Sequence, residues 1–223
     1  MNDFWSVMVD NFGELFVKGL VITLPLTVIS FSLGLVIAVL TAMVQYANVG
    51  GLKQLARFYI WIIRGTPLLV QLYVLFYFLP NIGIYIDPLP TAIIALALNE
   101  GAYCAETIRA SLEAVPTGQI EAGYCVGMSY TQIMSRVVVP QALRTAFPPL
   151  SNSLISMLKD TSLVANITVM EMMYLAKVKM AGNFKVLAMY LDVAIIYLIF
   201  STLLTFLQRL GENYLNRKGV KRA

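Results

Sequence analysis

The chain has no histidine among its 223 residues. That absence removes imidazole acid–base catalysis and most zinc sites. Charge is scarce too: 13% of residues are Asp, Glu, Lys or Arg, about half the share in an average soluble domain. There are two cysteines, Cys104 in a predicted helix and Cys125 in a polar loop, so no structural disulfide is expected. The Gly-x4-Gly-Lys-Ser/Thr pattern that cradles phosphates is missing, which excludes ATP hydrolysis by that route. No internal repeat or low-complexity tract stands out. The first 14 residues carry Asp3, Asp10 and Glu14 but no base; that is the wrong charge for a secretory leader, and none is expected.

What is abundant is apolar surface. Hydrophobic residues make up 59% of the chain and the mean hydropathy is +0.75, too apolar for a soluble core to hide. Gly19–Leu52 runs 34 positions without a charge, Gly65–Ile86 runs 22, and Val193–Gln208 runs 16 after the apolar Val186–Leu191. A bilayer-spanning helix needs about 20 apolar residues. The expected fold is therefore all-α, a single polytopic membrane domain of about five helices. They fall near 15–45, 55–79, 90–113, 142–166 and 185–209, with a polar loop at 117–140. Turn signals at Asn48–Gly51, Pro80–Gly83 and Asp87–Pro90 separate the first three.

The basic residues orient this arrangement. With the C-terminal Arg217, Lys218, Lys221 and Arg222 inside, five crossings leave the N-terminus outside and the polar loop in the cytoplasm. Eleven of the 16 bases then lie at or inside the inner face. Lys177, Lys179 and Lys185 oppose the rule in one external segment. Either the earlier helices have already set the orientation, or this patch meets an acidic surface on an extracytoplasmic partner. The aromatics Tyr73, Phe76, Tyr77 and Phe78 suit an outer interfacial belt, and the methionines Met170, Met172, Met173 and Met180 suit packing.

Within the loop, Gln119–Tyr130 reads as a short amphipathic helix led by Glu121, whose charge suits a helix N-terminus. Gly127 allows a helix end there. A second helical piece, Thr131–Val139, is expected to stop at Pro140. The alternative is a helix lying on the membrane surface, but the segment has one base, Arg136, and no Trp or Phe.

Glu121-Ala122-Gly123, three residues, Gly127, nine residues, then Val137-Val138-Val139-Pro140 resembles the "EAA" loop of binding-protein-dependent ABC importer permeases. It departs by Gly for the third Ala and by Val for the Ile and Leu. Arg64–Leu69, Ala102–Glu106 with Arg109, Gly118-Gln119 and Lys159–Leu163 resemble the polar amino-acid branch of that family (His/Glu/Gln/Arg/opine). The Pro148–Ser153 run and the entry to the third helix look most like the bacterial L-cystine permeases. The resemblance covers residues from about 15 to 210.

It implies a type I ABC importer permease fold in the bacterial cytoplasmic (inner) membrane. It implies three protein partners: a cytoplasmic ATP-binding subunit, a second permease subunit forming a homodimer, and an extracytoplasmic substrate-binding protein. ATP and magnesium would sit on the partner ATPase, with no cofactor on this chain and no nucleic acid involved. Glu121, Ala122, Gly123, Gly127 and Pro140 would be ATPase-contacting residues, not catalytic ones. The subunit would turn ATPase closure into alternating access, by rigid motion of a packed element.

Ionisable residues inside a span are costly and mark functional candidates. Asn99, Tyr103 and Glu106 share one helix face at i, i+4 and i+7, and Glu100 widens it. That face suits cargo lining, although Glu106 can instead pair with Arg109. Lys159, Asp160, Thr161 and Ser162 form a second intramembrane set, fit either for the two charges of an amino acid or for an internal ion pair. Arg64, Gly65, Thr66 and Pro67 break the second helix, as a structural kink or as a gate. The rival reading is an ion-coupled transporter or channel using Glu100, Glu106 and Asp160.

Overall fold

The computed structural model describes residues 2–220, and among them there is no strand. α1 (Asn2–Lys18) passes through a π-helical turn, Gly19–Thr23, into α2 (Leu24–Tyr46). Together Phe4–Tyr46 make one apolar helix of 43 residues. It starts far before residue 15 because Phe4, Val7, Met8, Phe12 and Phe16 form a helical stripe that packs on the core, and the acidic residues between them do not interrupt it. The other long apolar helix is α11 (Val186–Val220), and the two meet through Phe16 and Phe200, ring centroids 5.4 Å apart. Lys221 and Arg222 of the basic tail lie outside the described residues.

The second predicted span is two helices. α3 (Gly50–Arg64) ends at Gly65, and α4 (Leu68–Tyr73) follows Pro67. A π-helical turn at Val74–Phe78 and the short α5 (Leu79–Asn81) complete the segment. The axes turn by 104° at the break. Proline disfavours helical backbone in the residue before it, and Pro67 itself sits extended at ψ 139°.

α6 (Pro88–Glu113) begins with proline at its first position, where the missing donor costs nothing. By length and apolarity, α1–α2 and α11 qualify as spans, and the bent α3–α5 pair as a third. α6 is less apolar and carries Glu100, Glu106, Arg109 and Glu113. Towards α2 it is small: Ala97 and Gly101 meet Gly34, and Ala102 and Ala105 cluster with Ala38. A Cβ on Gly101 would lie 2.9 Å from Ile37 Cγ2 and from the Tyr59 hydroxyl. Such small-residue stripes let membrane helices approach closely. The outer helices instead expose apolar side chains, such as Leu40 at 63% and Leu198 at 66%, an inside-out pattern suited to lipid.

The polar loop folds into a helical hairpin. α7 (Thr117–Cys125) closes with Gly127 at φ +78°. Gly127 N–H donates to Tyr124 O at 2.9 Å and Met128 N–H to Gly123 O at 3.0 Å, the paired bonds of a Schellman end. Ser129 then caps α8 (Tyr130–Ile133) in a capping box with Gln132. The expected stop at Pro140 does not occur. A π-helical turn, Met134–Val138, leads straight into α9 (Val139–Asp160), with Pro140 in its first turn. The wider turn leaves room for the proline ring, and the lost donor falls where the ladder is already shifted.

α9 stays helical through Pro148 and Pro149 and ends in a 3-10 turn, Thr161–Ile167. A helix not anticipated, α10 (Met172–Asn183), follows, capped by the buried Glu171, which accepts from Tyr174 N–H at 2.9 Å. It packs with α1 and α11 around Leu15, Met172, Met189 and Ile196.

Candidate functional site

α6 and α9 cross with polar residues at helical spacing on both sides. From α6 come Asn99, Glu100 and Tyr103; from α9 come Ser153, Ser156 and Asp160, at i, i+3 and i+7. The α3–α4 break adds Thr66, Pro67 and Leu68. Together they line a half-open cavity of about 350 Å³. Glu100 is 7% exposed; Cys104 Sγ donates to its Oε1 at 3.1 Å, and Ser153 also hydrogen-bonds its carboxylate. Two acidic side chains, an amide and three hydroxyls on Ser153, Ser156 and Thr66 therefore face one space.

The structure sorts the sequence candidates. Asn99, Glu100, Tyr103 and Asp160 line the cavity, and so do Thr66 and Pro67, which the sequence offered as a kink or gate. Lys159 does not: it is one residue from Asp160, about 100° round the helix, and its side chain is exposed. Thr161 is fully buried and donates to Leu158 O at 2.6 Å; Ser162 does not line the cavity. Glu106 faces a second cavity of about 330 Å³ with Gln45, Lys53, Arg57, Ile60, Trp61, Arg109 and Glu113.

There Glu106 takes Arg109 in a two-pronged pair, Nε–Oε1 3.2 Å and Nη2–Oε2 3.0 Å. Arg109 also reaches both oxygens of Glu113 at 2.7 and 2.8 Å. Arg64 stands between the cavities. Its guanidinium lies 5.3 Å over the Tyr103 ring and its Nη1 lies 3.7 Å from Glu106 Oε2.

Sequence reading missed Ser153, Ser156 and Gln71. Gln71 Nε2 donates across the break to Ile63 O at 2.7 Å, Thr66 Oγ1 at 2.9 Å and Thr66 O at 3.0 Å, while its Oε1 accepts from Asn99 Nδ2 at 3.0 Å. An amide amid the apolar stretch Leu68–Leu79 was the available signal, since a polar group there needs a partner.

The hairpin lies beyond the other end of α6. Glu113 lies fourteen helical positions beyond Asn99, about 21 Å of rise, before α7 begins. Glu121 and Ala122 are exposed, whereas Gly123 is buried against Ile133, where a Cβ would come within 2.8 Å of Cγ1. Pro140 is exposed at the start of α9. Tyr124, Val126 and Tyr130 are more than half exposed on the hairpin surface, and beneath it Leu112, Val115, Ile133, Val138 and Ala142 form a core of their own. Among the described residues no three His, Cys, Asp or Glu side chains gather as a metal site would require.

A multi-pass helical membrane protein with a polar cavity between its helices and a separately packed polar hairpin is, in class, a membrane transport subunit. The chain belongs to the family of binding-protein-dependent transport system inner membrane components, which it matches over residues 30–215. It is 42% identical over 218 residues to the L-cystine transport system permease protein TcyB of Bacillus subtilis, covering 97% of this chain and 93% of that one. It is 38% identical to the octopine transport system permease protein OccM of Rhizobium radiobacter, over 87% and 83% of the two chains.

Its structure is similar to that of an amino acid ABC transporter crystallised with histidines, with a TM-score of 0.87, 33% identity, and coverage of 93% of this chain and 97% of that one. The MetNI methionine ABC transporter shares the fold at a TM-score of 0.75 and 21% identity, over 90% and 96% of the two chains. The protein is thus a multi-pass inner-membrane permease subunit of an ABC amino-acid importer, with the type I permease fold. ATP hydrolysis falls to a separate subunit, and the ion-coupled reading is overturned.

Proposed function

We propose that the cavity between α6 and α9 holds the amino acid in transit, and that the α7–α8 hairpin docks on the ATP-binding subunit. The observation that carries the first part is the acidic, hydrogen-bonding lining of a space bordered by three helical segments. Glu100 and Asp160 suit the ammonium group of an α-amino acid; Asn99 and Ser156 supply donors for its carboxylate. L-Cystine, with two ammonium groups and two carboxylates, is the first cargo to test, supported by the relative that is 42% identical.

Glu121, Ala122, Gly123, Gly127 and Pro140 build the docking hairpin, and its Tyr124, Val126 and Tyr130 supply exposed contact area. Two copies of the chain form the permease core, loaded by an extracytoplasmic binding protein, with the N-terminus outside and the C-terminus inside. That orientation follows the basic residues and puts the hairpin and the Arg64–Glu113 ion chain on the cytoplasmic side.

The test is reconstitution in proteoliposomes with the ATPase and the binding protein, with L-cystine, L-glutamine, L-arginine and octopine as cargoes. ATP-dependent uptake of one of them that falls at least tenfold in the Glu100→Gln variant supports the cavity. Normal uptake by that variant overturns it. For the hairpin, the Gly127→Asp variant should insert normally yet fail to co-purify with the ATPase; an intact complex would remove the docking role.

A further inference from the structure

The second cavity, beside Glu106, has no place in the cargo reading, and its charges do not balance. Its two carboxylates, Glu106 and Glu113, are both taken up by Arg109, through contacts of 2.7 to 3.2 Å. Gln45 Nε2 gives Glu106 a further bond at 3.4 Å. The same cavity is lined by Lys53 and Arg57 of α3, four residues apart and so on one helix face. Among the described residues neither has a carboxylate within ion-pairing distance. Lys53 is held by a neutral oxygen, Asn48 Oδ1, at 2.5 Å. Arg57 has no side-chain partner among the described residues. One pocket thus holds a satisfied acidic set and two cations that lack a counter-ion.

Depth narrows what can supply it. α6 runs from Pro88 to Glu113, so its middle falls near Glu100. Arg109 lies nine positions further on, about 14 Å of rise, close to the ~15 Å half-thickness of a bilayer's hydrocarbon core. With α6 centred in the bilayer, Arg109, Lys53 and Arg57 stand where lipid phosphates begin. Beside them α3 exposes Leu55 at 62%, Phe58 at 56% and Trp61 at 69%. An acyl chain can lie along these side chains while its head group enters the cavity. Basic pockets between helices on the cytoplasmic side suit anionic head groups, and an arginine fork with a nearby lysine suits tetrahedral phosphate. Glu113 does not oppose the anion as a bare charge, because Arg109 holds both of its oxygens.

We infer that the cavity between α2, α3 and α6 is a phosphate site, with Lys53 and Arg57 as its ligands and Ile60 and Trp61 as its apolar wall. The head group of an anionic phospholipid and free inorganic phosphate share the chemistry that fills it. A bound phosphate supplies the missing counter-ion and ties α3 to the inner end of α6. Neither Lys53 nor Arg57 lines the cargo cavity, so this site and the cargo reading stand or fall separately.

The experiment uses the importer assembled with its ATPase in detergent. It is titrated separately with phosphatidylglycerol, phosphatidylcholine and inorganic phosphate. Retained lipid is counted by native mass spectrometry, and each probe is also read from the rise in unfolding midpoint, since a ligand of the folded state stabilises it. Phosphatidylglycerol should bind at least about tenfold tighter than phosphatidylcholine, and Arg57→Gln should weaken it by about tenfold or more. Lys53→Gln should weaken it by about threefold or more. Arg209→Gln removes an exposed base of α11 outside this pocket and should leave binding within about twofold of normal. Arg57 is exposed, so its replacement should not alter the midpoint measured without a probe.

The two sources separate within the same titrations. Inorganic phosphate that raises the midpoint and displaces the lipid supports a site open to the free anion. Stabilisation by phosphatidylglycerol without any by inorganic phosphate supports a head-group site that needs its chains. Binding undiminished in Arg57→Gln overturns the inference, and so does equal weakening by Arg57→Gln and Arg209→Gln, which would mark a diffuse attraction to the whole inner face. Phosphatidylglycerol held no better than phosphatidylcholine, together with no response to phosphate, overturns it as well.

Discussion

α6 carries two opposite kinds of interface. Towards α2 it presents Ala97, Gly101, Ala102 and Ala105, nearly sealed from solvent, and backbones approach until Ala97 O lies 3.0 Å from the Cβ that Gly34 lacks. Towards α9 and the α3–α4 break it presents Asn99, Glu100 and Tyr103 around open volume. The dry seam gains from dispersion and close backbone approach, with no room for a second arrangement. The polar side keeps volume and unspent hydrogen-bonding capacity, which contribute little to stability and are what a passing solute needs. A transporter must hold one surface fixed while another yields, and one helix divides these tasks between its faces.

The sharpest way to break that contrast is to enlarge the dry seam. Gly101→Val should put methyl groups into Ile37 and Tyr59, overpacking that costs about 1–3 kcal/mol and also disturbs the Tyr59 hydroxyl, which donates to Leu98 O. Membrane abundance should fall by about fivefold or more at about 1.4 kcal/mol per tenfold, measured by immunoblot and thermal stability in detergent. Abundance and melting that stay normal would mean the seam is not the fixed surface.

On the polar side the same test should separate stability from transport. Asp160→Asn removes one of the two acidic groups facing the cavity while keeping its shape. Loss of a charged hydrogen-bond partner is worth about 1.5–3 kcal/mol, so cargo affinity should drop by roughly ten- to a hundredfold at unchanged abundance. Ser156→Ala removes a neutral partner worth about 1 kcal/mol and should weaken binding by about fivefold. If either variant lowers abundance as Gly101→Val does, the two faces are not different in kind.

Part of this division was legible in the sequence. Asn99 and Tyr103 stand out because polar residues at i and i+4 in an apolar helix need something to face. The helix break was legible at Gly65-Thr66-Pro67, since two of its three residues oppose helix locally. The 104° turn was not, because Gln71 and Asn99, distant in sequence, hold it. Glu106 was read as cavity-lining from a shared face of α6, but which space that face meets is decided by α3 and Arg109, not by helical period. Ser153 and Ser156 went unread because serine often satisfies itself against its own helix, as Ser151 does by donating to Phe147 O at 2.8 Å. Pro140 was read as a stop because proline normally is one; a π-helical turn absorbed it. α10 was missed because its 12 residues mix lysine with apolar residues and show no clear stripe.

The smallest expected effect tests the boundary of the polar side. Lys159 adjoins Asp160 and was expected to recognise cargo, yet its side chain is exposed and belongs to neither cavity. An exposed side chain with no ligand contact changes stability by at most about 0.5 kcal/mol when truncated. Lys159→Ala should therefore keep uptake within about twofold of normal, with unaltered cargo affinity. Asp160→Asn in parallel supplies the contrast, since neighbours about 100° apart on one helix should differ by tenfold or more in effect. A loss with Lys159→Ala as large as that with Asp160→Asn would move the boundary: Lys159 would then act where two permease subunits meet, and the cavity would draw a cation from that seam.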